Sequence, residues 1–176
     1  AAVINGAKKP FIVWGQGITL GNAENEFKDF IEKAGIPSAS TLLGLSALPS
    51  DHELHVGMVG MHGNYAPNKL TNECDVLIAV GMRFDDRVTG NLATYAAQAN
   101  LIQQEIDQAE VDKNVKADVP VLGNVKDTLA AILPLIDKKE YKAWEQEFQD
   151  LYDIEYKEVI DGQINVSSDG LTMAET

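Results

Sequence analysis

One pattern recurs along this sequence and restricts the folds that are open to it: a short apolar segment ends in a glycine or a polar turn, and a stretch with helical periodicity follows. The clearest apolar segments are PFIVWG, from Pro10 to Gly15, and DVLIAVG, from Asp75 to Gly81. Both are typical of buried strands that enter a glycine turn. Strands that alternate with helices indicate an α/β domain with a mainly parallel sheet, helices on both faces and ligand loops at the carboxyl ends of the strands.

Three further strands are predicted at Ile36–Ser40, Asn100–Asp107 and Val119–Leu122. The segment from Thr41 to Asn64 is rich in glycine and proline, so we expect a loop there.

Apolar residues at helical spacing predict an amphipathic helix that Asn22 caps at its start and Gly35 at its end. Asn124 opens another helix, which Pro134 should kink or stop early. Two more helices are predicted, a short one at Ala66–Glu73 and a long one from about Glu140 to Ile160.

Composition narrows the classes of partner. The chain carries 27 acidic against 14 basic residues, a net charge of −13, which disfavours binding to a nucleic-acid backbone. No segment approaches the roughly 18 apolar residues of a membrane span, and we expect no secretory signal at the start. The lone Cys74 cannot form an internal disulfide, so a cytoplasmic location is the simplest expectation.

Three glycine-containing strings are candidates for ligand contact. Gly15-Gln16-Gly17 follows a strand and permits close approach of a cofactor, but a tight turn explains it equally well because the GxGxxG fingerprint is incomplete. GMVGMHGN, from Gly57 to Asn64, could lie against a planar ligand or form a surface loop. GMRFDDRVTG, from Gly81 to Gly90, carries two arginines that could bind phosphate or carboxylate, or form surface ion pairs.

Other polar residues are weaker candidates. Glu105 at the end of a strand could accept hydrogen bonds from a ribose or ribityl hydroxyl, although a solvated acid is the simpler interpretation. Gly123-Asn124 could be no more than a helix cap. We expect His52 and His55 to be exposed loop residues, and we expect Cys74 to be a small buried residue rather than a nucleophile.

Taken together, three strings carry a family resemblance: TLLGL from Thr41, GMVGMHGNYA from Gly57, and DVLIAVGMRFDDRVTGNL from Asp75. In order and spacing, the chain from about Lys9 to Ile136 resembles the middle domain of acetolactate synthase catalytic subunits. The resemblance implies a six-stranded, doubly wound α/β domain that binds FAD in an extended form, as a largely structural cofactor.

The resemblance also implies roles for individual residues. Arg87 matches an arginine that helps to select the second 2-keto acid, and Met58 matches a residue near the channel to that site, where herbicidal inhibitors bind. The FAD-binding positions would be Gly15, Gln16, Gly17, Thr41, Leu42, Val59, Gly60, Met61, His62, Gly81, Met82, Arg83, Asp85, Val88, Glu105, Ile106, Gly123 and Asn124.

Several positions depart from the family pattern. Gln16 interrupts the usual glycine triplet after the first strand, and Asn124 stands where an aspartate is usual. The familiar HIDIDP string reads QQEIDQ, with Glu105 for Asp and Gln108 for Pro.

The resemblance implies that residues 1–161 form a central FAD-binding domain and that residues 162–176 begin a linker to a missing thiamine-diphosphate domain. The GDG motif that binds Mg²⁺ and diphosphate is absent from this sequence, so the chain should be inactive alone. The full enzyme would carry thiamine diphosphate and Mg²⁺ in its flanking domains. It would form a homodimer or homotetramer, with a regulatory subunit in some cases.

Three alternatives remain open at this point. The first is the middle domain of another FAD-binding carboligase such as glyoxylate carboligase, whose version of RFDDRVTG differs at the acids. The second is an NAD-dependent dehydrogenase, which the incomplete GxGxxG disfavours. The third is a scaffold domain that has lost its ligand, for which Gln16 and Asn124 are the only support.

Overall fold

The structure, a computed structural model, describes residues 1–161. Within them, one six-stranded parallel sheet runs in the order β3-β2-β1-β4-β5-β6. Its strands are β1 (Pro10–Trp14), β2 (Ser38–Ser40), β3 (His55–Met58), β4 (Val76–Val80), β5 (Asn100–Glu105) and β6 (Val119–Leu122). The helices are α1 (Ala2–Gly6), α2 (Gly17–Leu20), α3 (Glu24–Ala34), α4 (Tyr65–Leu70), α5 (Asp86–Thr89), α6 (Val125–Ile132) and α7 (Lys142–Glu155).

Helices cover both faces of the sheet, which confirms the predicted doubly wound α/β class. Side chains of β1 alternate between two hydrophobic clusters, because successive residues of a strand point to opposite faces. Ile12 and Trp14 pack with residues of α3 and α6, including Phe27. Phe11 and Val13 pack with residues of α4 and α7. Both faces of the central strands are therefore buried, as the unbroken apolar runs predict.

The strand order places a crevice between β1 and β4. The chain winds outward from β1 through β2 to β3, then returns to β4 on the other side and continues to β6. In open parallel sheets, the loops that follow the two strands on either side of such a reversal diverge and leave room for a ligand. The loops after β1 and β4 therefore form the most favourable place for a site in this fold.

The long helix α7 is fixed to the start of β1. The Trp144 indole N–H donates to the carbonyl of Pro10 at 2.8 Å, and the ring of Phe148 lies 5.1 Å from that of Phe11. A π-helical turn at Tyr156–Ile160 follows the helix, so the predicted long helix is present with a change of geometry in its last turn. No helix within residues 1–161 combines the length and apolar character that crossing a bilayer requires.

Two predictions about local structure were wrong. The segment from Thr41 to Asn64 is not only a loop, since it contains a 3₁₀ turn at Leu42–Gly44 and the strand β3, the one strand of the six that was not predicted. This strand was missed because it is short, half-buried at the sheet edge and contains Gly57 at a φ of +111°. Asn22 does not cap α3: it has a φ of +48°, and Ala23 is the N-cap residue without a side-chain hydrogen bond.

The predicted ends of helices α3 and α6 agree with the structure. Gly35 ends α3 in the left-handed conformation, and its N–H donates to the carbonyl of Ile31. Pro134 stops α6 early, because the helix ends at Ile132 and a 3₁₀ turn at Leu133–Leu135 follows. The predicted linker at 162–176 lies outside the described residues.

The outer edge of β3 is occupied by nearby side chains. Asn64 accepts a hydrogen bond from the N–H of Met58 through its side chain at 3.0 Å, and its own N–H donates to the Met58 carbonyl at 2.8 Å. The His55 ring nitrogen Nε2 lies 3.0 Å from the carbonyl oxygen of Gly57. The Asn64 contacts satisfy both backbone groups of Met58, which this short strand would otherwise leave exposed at the edge of the sheet.

Candidate functional site

A cavity of about 530 Å³ lies at the carboxyl ends of β1, β4 and β5, at the predicted crevice. It is formed by the glycine turns that follow the strands and by the 3₁₀ turn after β2. Most of the residues that the resemblance implies for FAD line it, together with Arg87. These residues are Gly15, Gln16, Gly17, Thr41, Leu42, Gly81, Met82, Arg83, Asp85, Arg87, Val88, Glu105, Ile106 and Asn124.

The structure does not place five of the predicted site residues in the lining: Val59, Gly60, Met61, His62 and Gly123. Val59 is buried in the core, whereas Met61 and His62 are exposed on the loop after β3. This loop reaches the cavity wall indirectly, because the Met61 N–H donates to the Arg87 carbonyl at 2.7 Å.

The glycines of the first turn are required by contact with the protein itself. A Cβ on Gly17 would lie 2.6 Å from the Cα of Gly81, and one on Gly15 would lie 2.6 Å from the Gly81 carbonyl oxygen. Gly81 itself has a φ of +57°. The turns after β1 and β4 therefore touch backbone to backbone. The tight-turn interpretation accounts for both glycines of Gly15-Gln16-Gly17 without a ligand.

Close packing leaves one backbone donor of this turn for a ligand. The N–H groups of Gly15 and Gly17 donate to the carbonyls of Val80 and Gly81. The N–H of Gln16, between them, has no acceptor among residues 1–161. A backbone donor without a partner at the cavity wall can bind an anionic or carbonyl oxygen.

The loop after β4 brings two arginines to the cavity. Arg83 Nε lies 3.6 Å from Asp85, and Arg87 Nε lies 3.8 Å from Asp86. These pairs are exposed and loosely held, so neither guanidinium is locked by its acid. The second oxygen of Asp85 caps α5 by accepting from the Arg87 N–H at 3.0 Å, so this carboxylate mainly shapes the loop.

The side chains of Glu105 and Asn124 use part of their hydrogen-bonding capacity on nearby backbone groups. Oε1 of Glu105 accepts from the N–H groups of Ile106 and Asp107, at 2.8 and 3.2 Å. Its Oε2 receives no hydrogen bond from residues 1–161 and is the oxygen that could serve a ligand hydroxyl. The Asn124 side chain caps α6 by accepting from the Lys126 N–H at 2.9 Å, as the simpler interpretation predicts.

Sequence reasoning missed part of the lining. The additional residues are Leu20, Gly21, Leu43, Gln104, Glu110 and Val125. Leu20 and Leu43 are exposed apolar side chains at the end of α2 and in the 3₁₀ turn after β2, where an apolar residue does not by itself indicate ligand contact. Gln104 did carry a signal, since two adjacent glutamines in a strand that is otherwise buried require polar partners.

The two histidines and the cysteine considered in the sequence analysis lie outside this cavity. His52 and His55 are half-buried rather than exposed, which corrects our prediction, and His55 lies 4.9 Å from the Trp14 ring. Burial lowers the pKa of His55, and burial next to Asp75 raises the pKa of the Cys74 thiol to about 12. Within residues 1–161, no cluster of three or more His, Cys, Asp or Glu side chains could hold a metal ion.

Comparison with known proteins agrees with this architecture. The family described as "Thiamine pyrophosphate enzyme, central domain" matches residues 1–132. A probable acetolactate synthase large subunit of Methanocaldococcus jannaschii is 41% identical over 154 residues, covering 88% of this chain and 26% of that protein. An acetolactate synthase large subunit of Lactococcus lactis is 47% identical over 129 residues, covering 73% of this chain and 22% of that protein.

An acetolactate synthase of Mycobacterium avium is similar over a longer stretch, at 38% identity over 173 residues, 93% of this chain and 28% of that protein. The chain thus spans about a quarter of the length of these relatives. Because the family match covers residues 1–132 of the 176 and the sheet has the expected doubly wound form, this chain belongs to the family of thiamine pyrophosphate enzyme central domains.

Proposed function

We propose that this chain is the FAD-binding central domain of an acetolactate synthase. The observation that carries the proposal is the convergence of distant segments on one cavity. Gly15–Gly17, Thr41–Leu42, Gly81–Val88 and Glu105–Ile106 contribute to a single wall, although up to 91 positions separate them in sequence. These are the segments that the family resemblance associates with the flavin cofactor.

The chemistry of the cavity suits a molecule with both apolar rings and anionic groups. Leu20, Leu42 and Ile106 are large apolar side chains that stay exposed at its wall, and a planar aromatic ligand would cover them. The free N–H of Gln16 and the guanidinium of Arg83 are suitable donors to diphosphate oxygens. The free Oε2 of Glu105 is a suitable acceptor for a sugar hydroxyl.

NAD is a less suitable occupant, although the strand order is the one found in dinucleotide-binding folds. NAD-binding domains of this type carry an acidic residue after the second strand to hold the adenosine ribose. Here β2 ends at Ser40 and is followed by Thr41, and neither side chain is acidic. Glu105 follows β5, on the opposite side of β1 and β4.

In the full enzyme, FAD would hold the domain in shape, and thiamine diphosphate with Mg²⁺ in the flanking domains would supply the carbon–carbon bond chemistry. We propose that Arg87 contributes to the choice of the second 2-keto acid that condenses with pyruvate. Its side chain is 72% exposed and has only a loose ion pair, so the guanidinium is available to a carboxylate. The full enzyme is proposed to be a cytoplasmic homodimer or homotetramer, with a regulatory subunit in some cases.

The test is the thermal unfolding midpoint of the 176-residue chain across a titration of FAD, with NAD as the control ligand. A ligand at about 100 times its Kd adds roughly 2.7 kcal/mol of stability, which is several degrees for a domain of this size. We expect a saturable rise with FAD and none with NAD. A rise with NAD alone would favour a dehydrogenase, and no rise with either would favour the scaffold alternative unless the chain with its flanking domains binds FAD.

A further inference from the structure

Gln104 is the second-to-last residue of a buried strand, and its polar side chain faces the cavity. It is 5% exposed and lies in β5, the strand next to β4. Its neighbour Gln103 points to the opposite face of the sheet, because side chains alternate along a strand. A buried amide at this position needs hydrogen-bond partners of its own.

Both ends of the Gln104 amide have such partners. Its oxygen accepts at 3.1 Å from the N–H of Gly81, which also donates to the Gln104 backbone carbonyl at 3.2 Å. Its nitrogen donates to the carbonyl of Gly123 at 2.8 Å. The orientation of the amide is fixed by these groups, since an N–H can only donate and a carbonyl can only accept. One side chain thus joins the turn after β4 to the turn after β6, across the end of its own strand.

Both turns belong to the cavity wall or its border. Gly81 lines the cavity and leads into Met82 and Arg83, while Gly123 precedes Asn124, which lines it as well. The Gln104 nitrogen carries a second hydrogen, which no residue within 1–161 accepts. The side chain therefore holds the two turns at a fixed separation and keeps one amide donor for a ligand.

We infer that Gln104 is a positioning residue for the cofactor of this domain: it fixes the turns at Gly81 and Gly123 and so sets the affinity for FAD. This inference rests on the proposed FAD function. Gln104→Leu keeps a similar size and removes both side-chain hydrogen bonds, while the Gly81 N–H keeps only its bond to the backbone carbonyl of residue 104. This substitution should weaken FAD binding about tenfold.

The matched control is Gln98→Leu. Gln98 is an exposed residue whose amide likewise bridges two segments, donating to the carbonyls of Cys74 and Thr71 at 2.8 and 3.3 Å. These residues precede β4, so they lie at the end of the sheet opposite the cavity. The control removes a bridging amide far from the cavity, so its Kd for FAD should stay unchanged.

Gln104→Glu supplies a readout that a purely structural role would not change. An ionised carboxylate can accept from the Gly81 N–H but cannot donate to the Gly123 carbonyl, whereas a protonated carboxyl group can do both. Because position 104 is buried, the pKa of the introduced carboxyl should be raised, and FAD binding by this variant should strengthen as the pH falls from about 8 to about 5. Glu105, Glu110 and Arg83 line the cavity in both chains, so a slope found in the variant alone belongs to the new carboxyl.

The experiment measures Kd for FAD by flavin fluorescence on the folded 176-residue variants, with amide hydrogen exchange at Gly81. Weaker binding and faster Gly81 exchange in Gln104→Leu alone would support the inference. Wild-type binding with no change in Gln104→Leu, or a flat pH profile in Gln104→Glu, would overturn it and leave the proposed function standing. If the wild-type chain bound no FAD even with its flanking domains, the proposed function would fail, and Gly81 exchange would still decide whether Gln104 fixes the turns.

Discussion

Replacement of Gly17 by alanine tests the backbone contact between the two turns that border the cavity. The added Cβ would lie 2.6 Å from the Cα of Gly81, 2.7 Å from its carbonyl oxygen and 3.0 Å from its carbonyl carbon. All three neighbours are backbone atoms, so no flexible side chain can move aside. Gly17 does not have a positive φ, so crowding is the main effect of the substitution.

Overpacking of this kind costs about 1–3 kcal/mol of unfolding free energy. For a chain of this length, the midpoint of thermal unfolding should fall by about 2 to 12 °C. Tryptophan fluorescence can follow the transition, because Trp14 and Trp144 are both buried. Since Gly17 and Gly81 both line the cavity, the forced separation of their turns should weaken ligand binding as well.

Gly6→Ala provides the comparison. Gly6 is also a helical glycine without a positive φ, but an added Cβ would meet nothing within 4 Å. This substitution should stabilise the chain by about 0.4–1 kcal/mol through the unfolded state. If Gly17→Ala proved as stable as Gly6→Ala, the two turns would not be in rigid contact, and our explanation for the glycines of the first turn would be refuted.

Two further predictions concern buried titratable groups. Cys74 is fully buried, and the pKa of its thiol is raised to about 12. A disulfide reagent at about pH 8 should therefore react with it only at the rate of unfolding. Rapid reaction in the absence of denaturant would contradict this. Burial lowers the pKa of His55 below its usual 6.5, so the unfolded chain binds the proton more readily than the folded chain. The unfolding free energy should therefore fall as the pH drops below about 6.5, by at most about 1.4 kcal/mol per pH unit. Denaturant titrations should show this dependence reduced in His55→Gln and retained in a matched variant of the exposed His62; an unchanged slope in His55→Gln would count against it.

The central part of the fold could be predicted from sequence because its signals are local. The apolar runs that become β1 and β4 are buried on both faces, so burial imposed an unbroken pattern on them. The edge strand β3 was not predicted, since four half-buried residues around Gly57 carry little periodic signal. Asn22 was wrongly predicted to cap α3 because its side chain is typical of a cap. Its backbone is instead in the left-handed conformation, which asparagine also tolerates.

The candidate site divides in the same way. Strings at strand ends, such as the one from Gly81 to Val88, could be assigned to one edge of the sheet, because parallel strands bring their carboxyl ends together. The loop after β3 could not be located so well. Its Val59 faces the core, and the loop contacts the cavity only through the backbone of Arg87, a relation set by the tertiary structure.

The occupied edge of β3 has a consequence for how this domain behaves among other chains. An edge strand with free backbone groups is a template on which another molecule can add a strand, and such addition leads to aggregation. Asn64 already occupies both backbone groups of Met58, so an incoming strand would have to displace it. Addition of a strand at this end of the sheet would therefore cost two existing hydrogen bonds before any new one formed.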